Sequence, residues 1–216
     1  MENNSELISK VLNKFIISMA ITTFGIFIGL LAIPVSLAIF CGTIAFIFLL
    51  VTTIIKIFSR KDEDKSKLYG INLPLPFVYG FSLLTGISLY PLIQEFSSST
   101  NASMVVVAIV VTTIIFAAVF NIGYRAKRDF SFLGMGLFFG LIAIIIMSIV
   151  GMIINLPFLN VLLAWIGAVI FIGYILYDVS VMKRKEFSEK DIPMAVLNLY
   201  LDFINLFIDI IRIFRN

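Results

Sequence analysis

The sequence predicts an all-α membrane protein: seven transmembrane helices, the C-terminal one central and the other six surrounding it. Three observations carry this. Of 216 residues, 61% are hydrophobic and 13% charged, whereas a soluble domain carries about a quarter charged residues. The apolar residues gather into runs of about 20, the length a helix needs to cross hydrocarbon. The last run, "LYLDFINLFIDIIRIF" (199–214), sets carboxylates into such a span, and a charged helix face must be kept from lipid.

The elements follow from the punctuation between runs. Residues 1–14 read as a lead-in and 15–216 as the transmembrane domain. In "MENNSELISKVLNKF", Leu7, Ile8, Val11, Leu12 and Phe15 fall at helical spacing opposite Lys10 and Lys14, which suits a surface-lying helix or a frayed lead-in. Acidic residues and the lack of a small-residue cleavage site argue against a removable signal peptide. The first span, 15–33, ends at Pro34, and the second, 35–57, runs into the charged stretch "SRKDEDKSK" (59–67), read as a solvated loop. The third, 73–93, carries Gly80, Ser82, Thr85, Gly86 and Ser88, small residues that suit close packing more than a cavity. Spans 103–124 and 131–154 flank the basic loop at Arg125–Arg128. "NLPFLN" (155–160) turns the chain into 157–181, and "DIPMAV" opens the last span, 192–213. "GIFIG" (Gly25, Gly29) and "GLFFG" (Gly136, Gly140) match a common pattern for close helix contacts.

Charge orients this arrangement. With seven spans, all of the 16 Lys and Arg residues except Arg212 and Arg215 fall on the side of the N-terminus. The N-terminus is therefore expected in the cytoplasm and the C-terminus outside, in a multi-pass cell-membrane protein. The net charge of +3 reports this topology and not nucleic-acid binding. The bilayer is the expected partner. A single cysteine, Cys41, cannot form an intramolecular disulfide or any zinc-binding cysteine spacing. Histidine is absent, so proton chemistry falls to carboxylates.

On the last span Asn198, Asp202, Asn205, Asp209 and Arg212 are 4, 3, 4 and 3 residues apart. At 100° per residue they stay within about 40° of one line, a polar stripe about 21 Å long. Each aspartate facing lipid would cost on the order of 3 kcal/mol near the bilayer centre, so the stripe must face protein or water. Used only as glue it is inefficient, since polar contacts in membranes average about 0.6 kcal/mol. A second intramembrane carboxylate, Asp178, lies in "FIGYILYDVSVMKRK" near the end of the sixth span. Spans six and seven are antiparallel neighbours, so a contact between Asp178 and Asp202 is within reach of tilt. Lys56 and Arg60 near the end of the second span, and Arg212 in the last, are the cations such carboxylates would meet. The bland alternatives are snorkelling for Lys56 and a local pair with Asp209 for Arg212.

Two membrane aspartates also suggest an intramembrane aspartyl protease. The glycines such an enzyme needs before its second aspartate are missing here, where the residues read "LYLD". A proton-coupled transporter is the other alternative.

"YILYD", followed by "LNLYLDFINLFI", together with "FVYGFSLLTGISLYPLI" and "GYRAKRDFSFLGMGLF", resembles the Bax inhibitor-1 (TMBIM) family of seven-helix membrane proteins, most closely its bacterial YetJ-like branch. The resemblance implies six helices around a seventh and a pH-sensitive Ca²⁺ leak channel, not an enzyme. It places the family's aspartate pair, the pH sensor, on Asp178 and Asp202. The basic latch residue falls on Lys56 or, with a turn inserted, on Arg60, and the basic residue of the last helix on Arg212. A glutamate that bacterial relatives carry in the second helix is replaced near Ala45. Within this reading Asn198, Asn205, Asp209 and Arg212 border the pathway. Asp202 and Asp209 touch Ca²⁺ transiently, because a tight site would need six to eight oxygens. No bound cofactor is expected, with Ca²⁺ entering only as the transported ion.

Overall fold

A computed structural model describes residues 4–45, 47, 73–99, 102–154 and 157–215. Among them the chain is helical, with no strand: α1 Asn4–Ala32, α2 Val35–Ala45, α3 Leu75–Ser99, α4 Ala102–Arg125, α5 Leu133–Ile154, α6 Pro157–Met182 and α7 Ile192–Arg215. Six of these are long and apolar enough to cross a membrane. Of the second predicted span, α2 covers the beginning; the remainder, with Lys56, Arg60 and the charged stretch 59–67, lies outside the described residues.

Local chemistry sets the ends. Pro34 separates α1 from α2, and its carbonyl accepts from the Leu37 and Ala38 amides at 3.0 and 3.2 Å. Pro157 and Pro193 sit in first turns, where a missing N–H leaves no bond unmade. Before α7, a short 3₁₀ turn at Glu189–Asp191 is closed by Ser188, whose amide and hydroxyl donate to Asp191 Oδ2 at 3.0 and 2.7 Å. The lead-in is helical and continuous with the first span. Its apolar face, Leu7, Ile8, Val11 and Phe15, is buried.

Burial divides the helices by role. In α7, 78% of the spanning window is buried, against 0% in α5 and at most 39% in the other spans. The outward faces of α4 and α5 carry Val106, Ile114, Phe139 and Ile146, all exposed, as surfaces in contact with lipid must. This is an all-α membrane protein whose C-terminal helix is the buried one.

The chain forms two compact units, Met1–Glu95 with Arg184–Tyr200, and Phe96–Lys183 with Leu201–Asn216. In the first, α1 and α3 meet backbone to backbone. A Cβ on Gly25 would stand 2.6 Å from the Leu83 carbonyl oxygen, and one on Gly86 would overlap the Thr22 carbonyl. Ser82 and Thr85 donate to carbonyls one turn back at 2.9 Å. The Thr22 hydroxyl is 2.8 Å from the Tyr200 hydroxyl, more than two turns into α7. Gly86 of the third span therefore serves close packing, whereas a Cβ on Gly80 would meet open space. In the second unit α6 packs on both α4 and α5, and Phe116 of α4 meets Phe203 of α7 edge to face at 5.5 Å.

Candidate functional site

The second unit holds both candidate aspartates. Asp178, in the last turns of α6, is 3% exposed, and Asp202, on α7, is 5% exposed. Ionised carboxylates are costly at such depth unless other groups compensate them. Tyr174, one turn before Asp178 on the same helix face, lies within electrostatic reach of both Asp202 and Asp178. One phenol thus belongs to the neighbourhood of both carboxyl groups.

The end of α6 that carries Asp178 is held firmly. The Ser180 hydroxyl oxygen accepts from the Phe130 amide at 3.0 Å. Lys183 donates to the carbonyls of Gly123 and Ala126 at 3.2 and 2.6 Å, closing the C-terminus of α4, where a cation is favoured by the helix dipole. Gly123 lets α4 approach closely: a Cβ there would lie 3.3 Å from Leu176 and Val179 side-chain carbons. Gly134 of α5 faces the Tyr177 ring, and a Cβ there would come within 2.7 Å of it. These contacts leave the Asp178 segment little freedom to turn.

Further along α7, Asn205 donates to the Leu201 carbonyl at 2.8 Å, a bond within its own helix. Asp209 is 6% exposed. Its Oδ1 lies 3.7 Å from Nη1 of Arg212, whose side chain is half exposed; this is the local pair that the spacing allowed. Against the other side of the Asp209 carboxyl lies Gly167 of α6. Asn198, earlier on α7, belongs to the first unit and is half-buried. Lys56 and Arg60, the latch candidates, lie outside the described residues. Among the described residues no group of three or more His, Cys, Asp or Glu side chains converges.

Sequence reasoning did not single out Tyr174, Lys183 or Gly167. Tyr174 was open to view, four residues before Asp178 and so on the same helix face. Lys183 counted only among the basic residues on the side of the N-terminus, and the place of Gly167 depends on a helix far along the chain.

Buried carboxyl groups on adjoining helices of a polytopic bundle define a class, seven-helix membrane proteins with intramembrane acid groups. The comparisons narrow it. The sequence profile of the family described as "Inhibitor of apoptosis-promoting Bax1" matches residues 4–216. The chain belongs to this Bax inhibitor-1 family.

Relatives include an uncharacterized protein of Campylobacter jejuni, 32% identical over 145 residues, which cover 67% of this chain and 62% of the relative. The inner membrane protein YbhL of Escherichia coli K12 is 34% identical over 145 residues, 63% of this chain and 60% of that protein. The Golgi anti-apoptotic protein of vaccinia virus strain Lister is 32% identical over 141 residues, 65% and 57%. The matched stretch therefore spans about three fifths of these relatives.

Proposed function

We propose that this protein is a pH-sensitive leak pathway for cations, Ca²⁺ foremost, in a bacterial cell membrane, and not an enzyme. The observation that carries the proposal is the placement of Asp178 and Asp202: both are buried in the same unit, with Tyr174 in electrostatic reach of each. Two carboxyl groups in a low-dielectric site do not both ionise readily, so together they hold a proton. When both are charged they attract a basic side chain, Lys56 or Arg60, and the pathway closes. Adding a proton weakens that attraction and frees the cation.

Asn198, Asn205, Asp209 and Arg212 border the pathway along one face of α7. Asp202 and Asp209 offer oxygen to a hard divalent cation. Weak successive contacts suit conduction better than a closed cage does. The distribution of Lys and Arg supports an N-terminus in the cytoplasm and a C-terminus outside.

The test is Ca²⁺ flux into proteoliposomes loaded with a calcium dye. Native protein should conduct, more strongly as pH falls from about 8 to about 6, and Asp202→Asn should change both the rate and its pH profile. Native liposomes indistinguishable from empty ones would refute the leak pathway.

A further inference from the structure

We infer that Gly167 and Asp209 form a second contact for the passing divalent cation, in which the missing side chain of Gly167 seats the Asp209 carboxylate and Arg212 is its resting partner. The inference rests on the leak-pathway reading.

Asp209 is buried, and so is Gly167 on α6. A Cβ on Gly167 would overlap Asp209 Oδ2 and lie 2.9 Å from its Cγ and 3.3 Å from Oδ1. Any side chain at 167 would therefore displace the carboxylate, and α6 meets α7 here through an acid group where apolar side chains would pack at less cost.

Arg212 does not neutralise this group tightly. At 3.7 Å the pair is longer than a hydrogen bond, and the arginine side chain is 52% exposed, so the pairing is weak and easily exchanged. A divalent cation arriving at Asp209 can displace it. Asp209 follows Asp202 by seven residues on one helix face, about 10 Å along the axis. A hard cation leaving one carboxylate thus finds the next within two turns, and weak successive sites permit passage without trapping.

Four proteins test this: native, Gly167→Ala, Asp209→Asn and the double variant. In dye-loaded proteoliposomes each single variant should lower Ca²⁺ flux by about tenfold, within the range of couplings between contacting residues, and the double variant should be no worse than Asp209→Asn alone. In detergent, added Ca²⁺ should raise the unfolding temperature of native protein, and by less in both Gly167→Ala and Asp209→Asn. Native flux and a native Ca²⁺ shift in both single variants would overturn the inference.

The two readings fail separately. Flux that depends on Asp202 but not on Asp209 removes the second contact and keeps the leak. Absent flux with a Ca²⁺ shift that needs Asp209 removes the leak and keeps the contact, and absence of both overturns both. Should Gly167→Ala fail to fold, Asp209→Asn, equal in size, still tests the charge. Gly167→Ala/Asp209→Ala then tests the seat: if it folds, Gly167 acts through Asp209, and if it fails, the glycine serves other packing and the seat is refuted.

Discussion

Gly86 shows how little room the backbone contacts of the first unit leave. Its added Cβ would overlap the Thr22 carbonyl and come within 3.0 Å of the Thr22 Cα, atoms that cannot swing aside as a side chain can. Gly86→Ala should cost about 1–3 kcal/mol by forcing α1 from α3, read as a lower unfolding temperature in detergent. Asp178 is a residue of another kind, a buried carboxyl group near the end of α6. Asp178→Asn leaves the side-chain volume nearly unchanged but removes one of the two groups proposed to share a proton. It should flatten the pH profile of Ca²⁺ flux between about pH 8 and pH 6; a variant that keeps the native profile would show that the sensor lies elsewhere.

At the scale of elements, the start of α1 is tied to the segment that precedes α7. Lys10 Nζ lies 2.7 Å from Glu189 Oε1 and 3.5 Å from Glu6 Oε1, and the Asn4 side chain donates through Nδ2 to the Arg184 carbonyl at 2.9 Å. The hydrogen bond from Lys10, and its charge, hold the Glu189 carboxyl below the ordinary glutamate range. A depressed carboxylate contributes stability above its unfolded value and loses it as pH falls through the lowered one. The difference in unfolding temperature between native protein and Lys10→Ala should therefore be present at neutral pH, fade as pH falls below the ordinary glutamate value of about 4, and shrink with added salt. An unchanged difference at low pH would mean that Lys10 acts by packing its stem.

For the whole molecule, topology is the claim on which the depth of every carboxylate depends. Cysteines placed at exposed Ser188 and Lys127 should react with an impermeant thiol reagent only from the cytoplasmic side, and one at exposed Gln94 only from outside. Labelling of Gln94 and Ser188 from the same side would refute the orientation. Cys41 must be replaced first, since it is partly exposed.

The spans were legible because membrane helices are recorded locally. A run of apolar residues and its flanking Pro or charge state length and ends without reference to the rest of the chain, and α4, α5 and α6 begin and end within a few residues of the predicted spans. The burial of α7 was legible too, since a stripe of carboxylates excludes lipid whatever its neighbours are. What surrounds that stripe was not. That Tyr174 stands near both carboxyl groups, that Lys183 closes α4, and that Gly167 makes room for Asp209 depend on how far one helix slides and turns against another. Side-chain volumes decide that across the whole bundle, and apolar periodicity is nearly silent where every outward face is apolar. Sequence alone determined which segments cross the membrane and which helix must be hidden; only the tertiary structure decided what each carboxyl group touches, because those contacts join residues far apart in the chain.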